Sequence, residues 1–298
     1  MSRTKRRRTP PPLPAGMQRI RAPKVRLKSL LQLSGEVAIA ADHAVFTAPL
    51  PEDEREKRLF MFDAAMLSRG SNALKSVRLL CEQAHWEFAA GVVRQLFEFV
   101  LNMEYLGTLP DRDAAIFRYA KYGLLQKVQH QYLHLLYDQK TGRPVDEERL
   151  ATLAQMLEQT FPEFRTVDDK GKVHSHKTWS GHTARYLAEK SAHPLREDQY
   201  HLMFVTWSEQ AHGAPAALME NLFPRVDAVD EVVAADDARV AETVTMAITL
   251  FLELWMLLPH VPQVDPAPRL AWTTALMKEA RRHGAPAPPS APADDAYY

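Results

Sequence analysis

The chain has 298 residues, 46% hydrophobic and 25% charged, with 37 basic against 37 acidic side chains and a formal net charge of zero. Those proportions exclude wholesale disorder, collagen and a pure coiled coil, and they allow a large core in one big domain or two small ones. The single cysteine, Cys81, excludes an intrachain disulfide and any cysteine-built zinc or iron–sulfur centre within one chain, while 11 glycines against 21 prolines argue against a glycine-looped nucleotide-binding fold.

Charge is unevenly spread. Residues 1–30 hold ten Lys/Arg, and the first acid is Glu36, so a basic arm precedes an acidic body. Pro10, Pro11, Pro12 and Pro14 interrupt the arm, and residues 1–23 read as disordered. Such an arm attracts phosphates of nucleic acid or anionic lipid; without aromatics between its arginines it does not read bases. No apolar stretch follows it, so it is not read as a secretory signal, and a cytoplasmic location is the default.

Helical periodicity then dominates. Expected helices run over Lys24–Phe46, Asp53–Gln83 (with a possible break at Gly70-Ser71-Asn72), Trp86–Leu106 and Asp111–Tyr137. A turn at Thr141-Gly142-Arg143-Pro144 leads to Asp146, which caps Glu147–Thr160. Residues 162–180 are polar and read as a turn or short hairpin. Thr183–Lys190, Pro194–Ala211, Val232–Leu258 and Ala267–His283 complete the set, and residues 284–298 read as a disordered Pro/Ala-rich tail. Val244–Leu258 is the most apolar stretch, but it contains Glu253 and falls short of the roughly 20 residues a bilayer span needs, so it reads as a core helix. The expectation is an all-α fold: a bundle of about seven to eight helices forming a single helical domain over residues 24–283, between two disordered ends.

Trp86–Leu106 carries apolar residues round nearly its whole circumference, which predicts burial. Arg94, Glu98 and Asn102 nevertheless occupy i, i+4 and i+8 on one stripe. Charges inside an apolar helix need partners, so the stripe reads either as a buried ion pair that fixes helix register or as a polar site inside the bundle. A second constellation is Tyr200, Ser208 and His212-Gly213. His212 lies in a last helical turn, where carbonyls favour imidazolium, making it a candidate acid or base; Ser208 sits one turn before it, but no orienting acid completes a hydrolase triad. His130 and His134 lack the glutamate of the HExxH zinc motif, and His174, His176 and His182 fall in a loop, so no metal is expected. No P-loop, Rossmann fingerprint or Gly-x-Ser-x-Gly elbow is present, so no cofactor is expected. Cys81 reads as inert core.

Taken in order, Arg94-Gln95-Leu96-Phe97-Glu98, Asn102 and Tyr105, Arg118-Tyr119 with Tyr122, Trp179-Ser180-Gly181, and Ser208-x-x-x-His212-Gly213 with Pro215 resemble the bacterial family catalogued as domain of unknown function 5677, over about residues 60–225. The resemblance implies an α-helical domain with no established activity, and it places Arg94, Glu98 and His212 together as recurring polar positions. A more distant resemblance is to HEPN-type helical ribonucleases, which use an arginine and a histidine near a helix end, need no metal and commonly dimerise. This chain departs from their spacing, since Trp207 and Ser208 precede His212 where an arginine is expected. Arg94 would then replace it: His212 takes the proton from a ribose 2′-OH, Arg94 stabilises the phosphorane and Glu98 orients Arg94.

Two functions are therefore expected. One is a non-catalytic interaction or scaffold module whose buried Arg/Glu/His cluster sets packing specificity. The other is a HEPN-like ribonuclease of toxin or phage-defence type, with His212, Arg94, Glu98 and Ser208 as catalytic candidates. Asn102, Tyr105, Arg118, Tyr122 and Tyr200 are the binding candidates, and nucleic acid (through the arm) and a second copy of the chain are the candidate partners.

Overall fold

The computed structural model describes residues 27–83, 85–167, 169, 171, 173–207 and 229–282. The readings made for the basic arm, for Ser208 and His212, and for the C-terminal tail lie outside the described residues.

Nine α-helices are present among the described residues: α1 Lys28–Thr47, α2 Glu54–Glu82, α3 Trp86–Gly107, α4 Arg112–Lys140, α5 Glu147–Gln159, α6 Ala184–Lys190, α7 Arg196–Tyr200, α8 Val229–Met256 and α9 Pro266–Arg282. A 3-10 turn, Pro162–Phe164, leads into two three-residue strands, β1 Arg165–Val167 and β2 Val173–Ser175. The architecture is all-α, as the periodicity predicts. Local chemistry sets several starts: the side chains of Asp111, Asp146 and Thr183 accept hydrogen bonds from the backbone N–H of Ala114, Arg149 and Tyr186, satisfying donors that a helix N-terminus otherwise leaves open. No helix among the described residues is long and apolar enough to cross a membrane.

The chain divides into two compact units. One comprises Met1–Pro49, Ala64–Val100 and His201–Tyr298, the other Leu50–Asp63 and Leu101–Tyr200, so α2 and α3 each contribute residues to both.

In the first unit, α1 buries Leu30, Leu31, Leu33, Val37, Ala38 and Ala41, a helical stripe that meets α8 and α9. The apolar run of α8 supplies Val244, Ala247, Ile248, Phe251 and Trp255 to this core, and the Trp255 indole N–H donates to the Pro262 carbonyl at 2.9 Å. Helix α2 passes unbroken through Gly70-Ser71-Asn72, and tertiary contacts account for the glycine and serine. A Cβ at Gly70 would lie 2.7 Å from Leu254 Cδ2, so glycine permits close approach of α8. The buried Ser71 hydroxyl is held 2.7 Å from an Asp42 carboxylate oxygen, and Lys75 pairs with the other oxygen at 2.5 Å. Cys81 is buried, and burial pushes its thiol well above the ordinary range, which keeps it protonated and unreactive.

The segment expected as one helix over Pro194–Ala211 differs in detail. Over its described part, to Trp207, it holds α7 followed by a π-helix over His201–Thr206, whose wider i→i+5 turns break the 3.6-residue period on which the expectation rested.

In the second unit, α4 and α5 pack together across a turn in which Gly142 adopts φ +74°, a left-handed conformation that favours glycine. The polar stretch after α5 forms the expected hairpin: β1 and β2 pair antiparallel with Arg165 opposite Ser175 and Val167 opposite Val173. Phe161 and Phe164 enter the core just before it.

Candidate functional site

Helix α3 carries the polar stripe. In the first unit, Arg94 Nε lies 3.5 Å from Glu98 Oε1, one helical turn apart. The guanidinium carbon sits 4.1 Å from the centroid of the Phe204 ring, supplied by the π-helix, and Phe204 meets Phe97 edge-on at 6.1 Å. Arg94 is thus held by a carboxylate on one side and a ring face on another. The pair is not enclosed, which corrects the expected buried cluster: the side chains are 28% and 43% exposed. The reason lies in the neighbours. Leu96 and Phe97 are fully buried, whereas Gly91, Val92 and Phe99 are only half-buried and Gln95 is exposed, so the Arg94 side of the helix stays partly open. A pair this accessible contributes about 0.2–1 kcal/mol.

The covered part of the Glu98 side chain is still desolvated, which pushes the carboxyl above the ordinary value of 4.5, with the charge and hydrogen bond of Arg94 pulling the other way. A carboxyl raised on folding keeps its proton in the native protein where the unfolded chain has released it. Stability from this group is therefore lost as pH rises from the unfolded value through the native one. Glu98→Gln removes that loss. Urea unfolding should find variant and wild type close at about pH 4 and the variant ahead at about pH 7. A wild type ahead at the higher pH would mean that attraction to Arg94 outweighs burial.

The binding candidates gather in the second unit, around the loop that carries Trp179. Trp179 is 4% exposed, and its indole N–H donates to Asn102 Oδ1 at 2.5 Å. Tyr105 and Tyr119 present ring edges to it at 5.6 and 5.3 Å. Arg118 Nε donates to the Trp179 carbonyl at 3.3 Å, and the Tyr122 hydroxyl donates to the His176 carbonyl at 3.2 Å. Burial raises the Tyr122 hydroxyl above its usual value, which keeps it a donor. The loop closes on itself where Thr178 Oγ1 donates to the His182 carbonyl at 2.8 Å and Gly181 takes φ +78°. His182 stacks on Tyr186 at 4.2 Å and meets the edge of Tyr105. Four binding candidates, Asn102, Tyr105, Arg118 and Tyr122, thus surround one loop; Tyr200 ends α7 and is half-buried.

One further cluster has no counterpart in the sequence reading. Arg196 is 1% exposed and donates to Glu104 through Nη2 at 2.5 Å and through Nε at 3.1 Å. Its Nη1 donates to Gln199 Oε1 at 2.5 Å, and the Ser191 hydroxyl donates to the second Glu104 oxygen at 2.9 Å. The short α7 has no amphipathic period to mark Arg196. The one available signal was Glu104 itself, a carboxylate between Met103 and Tyr105 near the end of a mostly apolar helix. Phe204 was missed because the π-helix breaks the expected period.

Among the described residues, no three His, Cys, Asp or Glu side chains gather as metal ligands. His134 Nδ1 pairs with Asp138 at 3.0 Å on α4, so that histidine is oriented by a carboxylate one turn on.

No curated protein and no solved structure matches the chain. Residues 64–228 match the family described as Family of unknown function (DUF5677), a span that takes in Arg94, Glu98, Asn102, Tyr105, Arg118, Tyr122 and Trp179. That span exceeds half of the sequence, and the chain belongs to this family.

Proposed function

We propose that the protein is a non-catalytic helical interaction module. One observation carries this reading. Asn102, Arg118 and Tyr122, polar side chains that the sequence marks for binding, are hydrogen-bonded to the chain's own 176–182 loop, Asn102 as acceptor and the other two as donors. Groups engaged in this way shape a surface rather than act on a substrate. The basic residues of the N-terminal arm add an electrostatic contact for nucleic acid, which weakens as salt rises.

A second reading, the metal-independent ribonuclease, draws on the accessibility of Arg94. A guanidinium backed by Phe204, oriented by Glu98 and still 28% exposed can be reached by a phosphate. In that reading His212 supplies the base and a dimer is the working form.

One experiment separates the two. RNA is incubated with wild type, His212→Ala and Arg94→Ala in the presence of EDTA, with circular dichroism confirming that each is folded. The module reading expects all three to leave the RNA as intact as buffer does. Cleavage by wild type that both substitutions abolish establishes the ribonuclease instead. RNA binding measured in parallel on a chain lacking residues 1–23 should weaken, and an unchanged affinity removes the arm from the account.

A further inference from the structure

The second unit holds a partly open cavity of about 140 Å³. Its floor is apolar and comes from Leu125 on α4, Leu157 on α5, and Phe161 and Phe164 between α5 and the hairpin. Leu125 and both phenylalanines are buried. Protein interiors pack densely, and voids much larger than a water molecule are few in any domain. A cavity of about 150 Å³ lined by leucine, isoleucine and phenylalanine stays dry and admits benzene. The space here has that scale, and its floor has that kind of lining.

The rim differs from the floor. Half-exposed Gln129 and exposed Ser175 stand at it. Among the described residues neither side chain makes a hydrogen bond, so an amide and a hydroxyl are both open to an incoming group. Arg165 also borders the space, but its guanidinium is engaged elsewhere. Nη1 donates to the Glu158 carbonyl at 3.0 Å and Nη2 to the Leu157 carbonyl, so its charge answers the C-terminal end of α5. An apolar floor with a few polar groups converging at one side is the usual build of a small-molecule site.

We infer that this cavity binds a neutral monocyclic aromatic molecule carrying one hydrogen-bonding substituent, with its ring against Phe161 and Phe164 and its substituent between Gln129 and Ser175. The ring suits edge and face contacts with the two phenylalanines, and the rim supplies one donor–acceptor amide and one donor–acceptor hydroxyl. With both terminal nitrogens of Arg165 engaged by helix carbonyls, the open groups at the rim are a neutral amide and a neutral hydroxyl, which suit a neutral ligand. The occupant bears on the Trp179 loop through Phe164. Tyr122 meets that ring edge-on at 5.1 Å, the Arg118 guanidinium lies 5.6 Å from it, and the His176 N–H donates to the Phe164 carbonyl at 2.8 Å. The site stands apart from the interaction-module reading and does not depend on it.

Phenol is the probe, benzene the control. Full-length protein with labelled leucine methyl groups is titrated with each while the Leu125 and Leu157 resonances are followed by NMR. Phenol is expected to shift both methyl sets saturably through its ring current. Leu157→Phe places a ring in the void and should abolish the shift at Leu125 while the protein still melts cooperatively. Gln129→Leu, on the rim, should weaken phenol about fivefold, the size of one hydrogen bond, and leave benzene unchanged. Because Gln129 is half-exposed, this variant keeps the test decisive even if the filled variant misfolds. The proposal is overturned if wild type gives no saturable shift at the two leucines. It also fails if Leu157→Phe folds and binds phenol as well as wild type does, or if Gln129→Leu changes phenol and benzene alike.

Discussion

Glu104→Ala will destabilise the protein by about 3–5 kcal/mol, measured as the loss of unfolding free energy in urea. Arg196 is 1% exposed and the Glu104 side chain only 16%, so truncation leaves a guanidinium buried without its carboxylate. The cost of an uncompensated buried charge exceeds the net worth of the pair, and that asymmetry makes the effect large. Ser191 loses its acceptor in the same step. Glu104→Gln retains oxygen and bulk and should fall between. Replacing both partners with apolar residues, Glu104→Leu with Arg196→Met, should recover most of the loss, because no charge is then stranded. Wild type, Glu104→Leu, Arg196→Met and the double variant form a double-mutant cycle that reads the coupling directly. A single-variant loss below about 1 kcal/mol would place this pair with exposed ion pairs such as Arg94 and Glu98.

Trp179→Ala is expected to cost a similar amount, about 3–5 kcal/mol, for a different reason. The indole is buried and fills the space between Tyr105 and Tyr119, so its removal opens a cavity among rings that cannot all collapse inward. Asn102 also loses the donor at its carbonyl oxygen. Trp179→Phe separates the two contributions: it restores much of the apolar volume and forfeits the hydrogen bond, for a smaller penalty. Thermal unfolding of the three proteins checks the order, with wild type above Trp179→Phe and Trp179→Ala lowest. Equal melting temperatures for all three would show that the loop is not held by its tryptophan.

What could be read from residues alone followed the range of the forces involved. A start set by a short-range hydrogen bond, such as the one capped by Asp146, was legible because cap and donor are three residues apart. Continuity of α2 through Gly70-Ser71-Asn72 was not, since what favours it is α8 packed against the glycine and Asp42 bonded to the serine, both distant in sequence. The cluster round Trp179 joins residues 77 apart, and periodicity gave no hint of it; only the family resemblance put Asn102 and Trp179 in one set. Glu104 and Arg196 are 92 apart, with Arg196 on a five-residue helix too short to show a face, so that pair was invisible. Reading α3 as apolar all round overstated its enclosure, because apolar side chains such as Val92 and Phe99 can stay half-exposed beside a charge.

The π-helical turns of His201–Thr206 make this stretch unusually sensitive to chain length. Each such turn accommodates one residue more than an α-turn does, so a natural or engineered deletion of one residue would let it rewind as an ordinary α-helix. The ring of Phe204 would then swing by about 100° about the axis and leave the guanidinium of Arg94. Six residues that look like helix filler therefore behave as a gauge block, in which the number of residues matters as well as the identity of buried Met203 and of Phe204.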